Sequence, residues 1–285
     1  MTDILTAEDL HFTFPGGVSA LKGLSLSIRR GRTLAILGPN GSGKSTLLLH
    51  LNGTLRPHQG KLLRDGKPVE YSRRGLQALR ERVALVMQDP EDQLFAATVF
   101  EDVSFGPMNL GVKEAEVNQR VEAALQALSI TDLADRPTHY LSGGQMKRVA
   151  IAGAVAMRPD VLILDEPNAG LDEAAETQLL ALLQALTTSG MTLCLSTHDV
   201  DLAWSLADDV ALFRAGRAVR QGPARTILSD SDALAEVGLS RPIVLEAALR
   251  AREIGLVPQD TPLPRNREQL HHEMSTWSAA LGSRG

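Results

Sequence analysis

Cysteine is nearly absent from this chain of 285 residues, and the single one, Cys194, lies in the apolar run TLCLST. One thiol excludes an intrachain disulfide framework and a cysteine-built zinc site. Flanked by apolar residues, it reads as a small core side chain in a reducing compartment. An excess of positive charge is also missing. The formal net charge is −5, which gives no basic face for a nucleic-acid partner. No apolar run reaches the roughly 18–20 residues of a membrane span. The opening MTDILTAEDL has no basic segment leading into an apolar one, so no signal peptide is expected. Internal repeats and low-complexity tracts are missing too. What remains is an ordinary soluble composition, 44% apolar and 22% charged, long enough for one large domain or two modest ones.

Along the chain, residues 3–30 read as antiparallel strands, with LSLSI at 24–28 alternating as a half-exposed strand does. TLAILG at 33–38, VALVMQ at 83–88, VLILDEP at 161–167 and TLCLST at 192–197 are continuous apolar runs, as expected of strands buried on both faces. A helix is expected from about Lys44 and another over about 172–188. Residues 90–160 carry no clear strand, and VNQRVEAALQAL at 117–128 has helical spacing. ALFRAGRAVRQGP at 211–223 reads as a closing hairpin turning at Gly216. Beyond about residue 238, EAALRAREIGL reads as helix and PQDTPLPRNR as loop. The alternation of strand and helix predicts an α/β fold with a mainly parallel sheet.

GPNGSGKST, from Gly38 through Pro39, Asn40, Gly41, Ser42, Gly43, Lys44 and Ser45 to Thr46, follows a predicted strand and opens a predicted helix. That context marks a phosphate-binding loop. Its glycines let backbone N–H groups converge on an anion at a helix N-terminus. A lysine there opposes the helix dipole by about 0.3–1 kcal/mol, a cost that makes sense if its partner is a phosphate. Ser45 would ligate Mg²⁺. Asp165 and Glu166 end a predicted strand, at the edge where ligands gather in parallel sheets. Asp165 is positioned for Mg²⁺ and Glu166 to polarise an attacking water. His198, in LSTHD, ends the next strand and can meet the γ-phosphate. Gln88 ends another and can reach Mg²⁺ or water. These parts amount to phosphoryl transfer to water, driven by positioning and charge neutralisation.

LSGGQ at 141–145 is a second anion-binding helix start, with Ser142 able to cap a helix beginning near Gly144. A chain that already cradles a triphosphate has use for a second such corner if it closes over ATP held by another copy. The ordered set GPNGSGKST, Gln88, LSGGQ, VLILDEP, NAGLD and LSTHD resembles ABC-type ATPases over residues 3 to about 237. Lys44 precedes Ser142 by 98 positions, Gln145 precedes Asp165 by 20, and Glu166 precedes His198 by 32. The resemblance implies a P-loop NTPase core with an N-terminal antiparallel β subdomain and a helical subdomain at about 90–160. It implies a head-to-tail dimer with ATP held by one protomer's phosphate loop and by Ser142, Gly144 and Gln145 of the other. Asp172 would communicate between the sites. Phe14 aligns with the aromatic that stacks on adenine.

MQDPEDQLFAATVFEDVSFGPMNLG at 87–111 and AIAGAVAMRPDVLILDEPNAGLD at 151–173 resemble the ATPases of energy-coupling-factor (ECF) transporters, with Asn168 where that group shows threonine. Among these the chain is similar to the ATP-binding subunits of cobalt or nickel importers. The resemblance implies ATP and Mg²⁺ as ligands. It also implies a membrane scaffold subunit as partner and, through it, a substrate-binding membrane subunit. The ATPase would then sit peripherally on the cytoplasmic face. A scaffold helix would lie in a groove near residues 88–106, with Glu91 and Asp92 receiving basic residues and Leu94 and Phe95 packing against it. Residues 238–285 would form a C-terminal extension that contributes to dimerisation or only covers the core. His271 and His272 are adjacent in it, a pairing more often incidental than a cation site. A vitamin importer of the same type remains an alternative. So does a soluble ABC protein acting on DNA or ribosomes, although a spacing of 98 leaves no room for an inserted coiled coil.

Overall fold

A strand is buried on both faces only where layers cover it on either side, and the run at 33–37 meets that condition. The computed structural model describes residues 2–282, with side chains through residue 275. The chain opens with β1 (Asp3–Thr13), β2 (Ser19–Arg29), β3 (Thr33–Leu37), α1 (Lys44–Leu51), β4 (Gln59–Arg64), β5 (Lys67–Pro68), α2 (Arg73–Arg80) and β6 (Val83–Val86). Helices α3 (Val99–Asn109), α4 (Glu114–Ala127) and α5 (Gly143–Ala156) follow. After them come β7 (Val161–Asp165), α6 (Glu173–Thr188), β8 (Thr192–Thr197), α7 (Val200–Leu206), β9 (Asp209–Arg214) and β10 (Arg217–Pro223). Helices α8 (Ala224–Ser229), α9 (Ser231–Glu236), α10 (Ile243–Glu253) and α11 (Arg267–Gly282) complete the described elements.

Two sheets result. One is antiparallel in the order β2-β1-β4-β5. The other runs β10-β9-β3-β8-β7-β6 and is parallel except for its edge pair β9–β10. The α/β class, the mainly parallel sheet and the N-terminal antiparallel layer all match the sequence reading. Side chains alternate across a strand. In β3, Leu34 and Ile36 join the apolar cluster under the antiparallel sheet and α1, while Ala35 and Leu37 join the cluster under the helices of the other face. Cys194 is fully buried in the first of these clusters.

The register positions the site. Leu37 pairs with Thr197, Asp165 with Ser196 and Val86 with Leu164. The carboxyl ends of β3, β8, β7 and β6 therefore share one edge, and the segments that follow them emerge side by side. The second buried run stops at Val86, two residues before its expected end. There Gln93 folds back, accepting from Met87 N–H (2.7 Å) and donating to Leu85 O (3.2 Å), which releases Met87 and Gln88 from the sheet. Residues 59–80, which carry no strong periodicity, form β4, β5 and α2. Helix α11 covers a stretch whose pattern gave no expectation.

Side chains tie the two sheets together. Asp209, buried at the start of β9, accepts from Arg29 of β2 and, at 3.0 Å, from Arg32. Gln221 of β10 bonds both backbone groups of Ser27. Asp209→Ala would remove the buried acceptor that the Arg29 and Arg32 guanidiniums share. Because both are partly open to water, the expected loss is about 2–3 kcal/mol rather than the full buried-pair figure, measurable as a lowered urea midpoint. The C-terminal helices are anchored on α7 of their own chain. Trp204 Nε1 donates to Pro264 O (2.8 Å), Arg265 stacks 4.6 Å over the Trp204 ring, and Asp201 accepts from Ile243 N (2.8 Å).

Candidate active site

The phosphate loop is shaped by two glycines whose neighbours exclude a side chain. A Cβ on Gly38 would stand 2.5 Å from Phe213 O, and one on Gly43 would stand 2.7 Å from Ala20 O. Gly43 is also the left-handed N-cap of α1 (φ 104°), and no side chain caps that helix. Its first N–H groups are therefore available to an anion. Lys44 is buried, with Nζ donating to Gly38 O (2.8 Å) and Pro39 O (3.4 Å) and standing 3.4 Å from Glu166 Oε1. Ser42 Oγ is buried without a hydrogen-bond partner. Asn40, Gly41 and Ser45 are exposed, and Thr46 is partly so.

Glu166 carries the largest local constraint. It is 6% exposed and holds φ at 41°, left-handed for a residue with a side chain, a conformation costing about 1–3 kcal/mol that clusters at functional sites. Its N–H donates to Ser196 O (3.1 Å) and Ser196 Oγ (3.2 Å). The Ser196 hydroxyl in turn donates to Asp165 Oδ1. Glu166 Oε2 lies 3.0 Å from His198 Nδ1, while Oε1 makes no hydrogen bond. One carboxylate oxygen thus faces the site beside a cation, the geometry that can orient and deprotonate a water.

Ser196 was not singled out from the sequence. Its signal was a hydroxyl at the end of an otherwise apolar buried strand, where a polar group must find a partner. Asn168 was noted only as a departure from threonine. Its Nδ2 bridges Glu176 Oε1 (2.9 Å) and Asp199 Oδ2 (3.1 Å), and Asp199 caps α7 directly after His198.

The serine–glycine corner is a capping box. Ser142 Oγ accepts from Gln145 N (3.3 Å), and Gln145 Oε1 accepts from Ser142 N (2.9 Å). Helix α5 starts at Gly143, one residue before the expected Gly144. A Cβ on Gly144 would meet Ala175 Cβ at 3.1 Å, so α5 begins hard against α6. Asp172 caps α6 through Ala175 N (2.7 Å). Phe14 lies in the turn between β1 and β2, exposed. It rests edge-on against Phe12 at 5.0 Å, and Phe12 stacks on His58.

Gln88 is exposed, and its carbonyl accepts from the buried Lys147. The acidic pair expected beside the apolar groove lies elsewhere. Leu94 and Phe95 line a groove of about 250 Å³ with Asp102, Phe105 and Met157. Glu91 and Asp92 instead line a separate cavity of about 400 Å³ with Gln88, Gly143, Lys147 and Gly170. The turn at Pro90–Asp92 sends the two acids toward α5 while the chain after Gln93 returns to the groove.

A phosphate loop and a strand-end carboxylate pair at one edge of a mainly parallel sheet, with a capped serine–glycine helix, define a P-loop nucleotide-hydrolysing cassette. Comparison with known proteins agrees. Residues 21–169 match the ABC transporter family model. The cobalt import ATP-binding protein CbiO of Rhodobacter capsulatus is 61% identical, covering 98% of this chain and 99% of its own. The energy-coupling factor transporter ATP-binding protein EcfA of Methanocaldococcus jannaschii is 46% identical, covering 85% and 86%. Among solved structures, CbiO1 of Clostridium perfringens, part of the ABC transporter complex cbiONQ, aligns with TM-score 0.75 at 42% identity, covering 90% of this chain and 98% of its own. A dimeric ATP-binding cassette in a post-hydrolysis state, bound to ADP and Pi, aligns with TM-score 0.71 at 27% identity, covering 78% and 99%. The chain belongs to the ABC transporter family, and it is an ATPase of that family.

Proposed function

We propose that this chain is the ATP-hydrolysing subunit of an ECF-type importer and that the cargo is a transition-metal ion, cobalt. The observation that carries the reading is likeness to a cobalt import ATP-binding protein along nearly the whole of both chains. In this reading the N–H groups of residues 40–46 and the Lys44 ammonium hold the phosphates, and Phe14 offers its face to adenine. Ser45, Gln88 and Asp165 would hold Mg²⁺. A hydroxyl, an amide and a carboxylate are the hard oxygen donors this ion takes, and Ser196 fixes the carboxylate of Asp165. Bound there, Mg²⁺ neutralises charge on the phosphate oxygens. Water attacks the γ-phosphorus, its proton passes to Glu166, and the bridging oxygen leaves with ADP. His198 holds Glu166 in line.

The second copy supplies Ser142, Gly144 and Gln145 across a head-to-tail interface, with Asp172 beside it. An α5 start exposed at Ser142 and Gly143 supports this, as does the dimeric cassette found with ADP and Pi. No helix of the described residues is long and apolar enough to cross a membrane, so attachment to the cytoplasmic face would run through a scaffold subunit. The groove bearing Phe95 and Phe105, 63% and 47% exposed and edge-on at 4.6 Å, supports a docking helix. Phe105→Glu is expected to leave the free subunit's ATPase rate within about twofold while cutting recovery of the membrane complex about tenfold, since one charge buried in an apolar contact outweighs the area lost. Undiminished recovery would remove the groove from the interface. The cargo is tested by uptake of labelled Co²⁺ and Ni²⁺ in cells carrying the complete transporter. Glu166→Gln in this chain should abolish Co²⁺ uptake, and uptake unaffected by that change would contradict the reading.

A further inference from the structure

Lys147, 1% exposed, is among the largest fully buried side chains of the described residues. A buried ammonium is tolerated only where its three donors find partners. Lys147 Nζ donates to Gln88 O and reaches Met87 O at 3.5 Å. Burial lowers its pKa, and the carboxylates of Asp89 and Asp165 oppose that shift. Lys147 lies on α5, just over one turn from the Ser142 cap. The two carbonyls it grips belong to the segment that leaves β6 beyond its last paired residue, Val86. An apolar side chain of that volume would fill the space without the cost of desolvating a charge. The charge therefore points to a tie between two elements rather than to packing.

We propose that Lys147 is a positioning residue for ATP hydrolysis: its ammonium locks the backbone of Met87 and Gln88 to α5, so that the Gln88 side chain is held in register with the helix that begins at Ser142. This rests on the reading of Gln88 as a group serving the phosphate end of the site. A shift of α5, such as one produced when its start meets a nucleotide, is then transmitted to Gln88 through a single side chain.

The test is a double-mutant cycle on the full-length chain, reading kcat, the KM for ATP and equilibrium ATP binding. Lys147→Met should lower kcat about tenfold while KM and ATP affinity stay within about twofold of the parent. Lys147→Arg, which keeps the cation, should recover kcat to within about threefold. Gln88→Ala should also be slow, and adding Lys147→Met to it should change kcat by less than about twofold, because a residue acting only through Gln88 has nothing left to position. If Lys147→Met does not fold, Lys147→Gln, a shorter donor, replaces it in the same cycle. Additive losses in the double variant, or unchanged kcat in the single one, would overturn the proposal and leave the role of Gln88 standing. A Gln88→Ala variant as fast as the parent would remove that role, and the route through it as well.

Discussion

Glu166→Gln is expected to bind ATP normally, to accumulate as an ATP-bound dimer and to hydrolyse about 10²–10⁴-fold more slowly than the parent. The substitution is isosteric, so the backbone at φ 41° and the paired bonds to Ser196 need not move. What disappears is the basicity of the one carboxylate oxygen that no hydrogen bond occupies. Lys44, 3.4 Å away, keeps its two loop carbonyls and remains available to phosphate. Single-turnover hydrolysis together with size-exclusion chromatography in ATP separates the two effects. Turnover at the parent rate would show that Glu166 is not the base.

The second large effect is expected at Gly43. Gly43→Ala places a methyl carbon 2.7 Å from Ala20 O, in a residue whose φ of 104° disfavours any side chain. Two penalties combine, left-handed strain and collision with a backbone atom that cannot swing aside. Together they are expected to cost about 2–4 kcal/mol of stability and to displace the first N–H groups of α1 from the anion. ATP affinity should fall by about two orders of magnitude. Gly41→Ala is the control. Its φ is 76° but nothing lies within 4 Å, so only the strain of about 1–2 kcal/mol applies. Isothermal titration of both variants with ATP checks the contrast, and equal losses would mean that the contact with Ala20 does not shape the loop.

The parts legible in the sequence were those with local causes. Buried runs at 33–37, 161–165 and 192–197 show their burial in an unbroken apolar pattern. Gly43 and Lys44 announce an anion site through a glycine turn followed by a misplaced cation. Ser142 ahead of a glycine pair declares a helix cap. The parts that stayed hidden depend on what lies across the fold. Nothing beside Lys147 in the sequence says that it is buried, because its partners Met87 and Gln88 are about 60 positions away. Asn168 bridges Glu176 and Asp199, one of them 31 positions distant. Glu91 and Asp92 were drawn toward the apolar groove by adjacency to Leu94 and Phe95, and a single tight turn sends them to another cavity. Short polar stretches such as 59–80 carry too little periodicity to declare their strands and helix.

Whether ATP is gripped by two subunits can be read from one crosslinking experiment. Asn40 is exposed on the phosphate loop, Gly143 is exposed with open space at its Cβ position, and Cys194, the sole native thiol, is fully buried. One chain carrying Asn40→Cys is mixed with another carrying Gly143→Cys, both bearing Glu166→Gln, and a short thiol crosslinker is added with and without ATP. A covalent heterodimer that forms with ATP and fails to form without it is the predicted result. An ATP-loaded dimer in which these two positions never join would contradict the account.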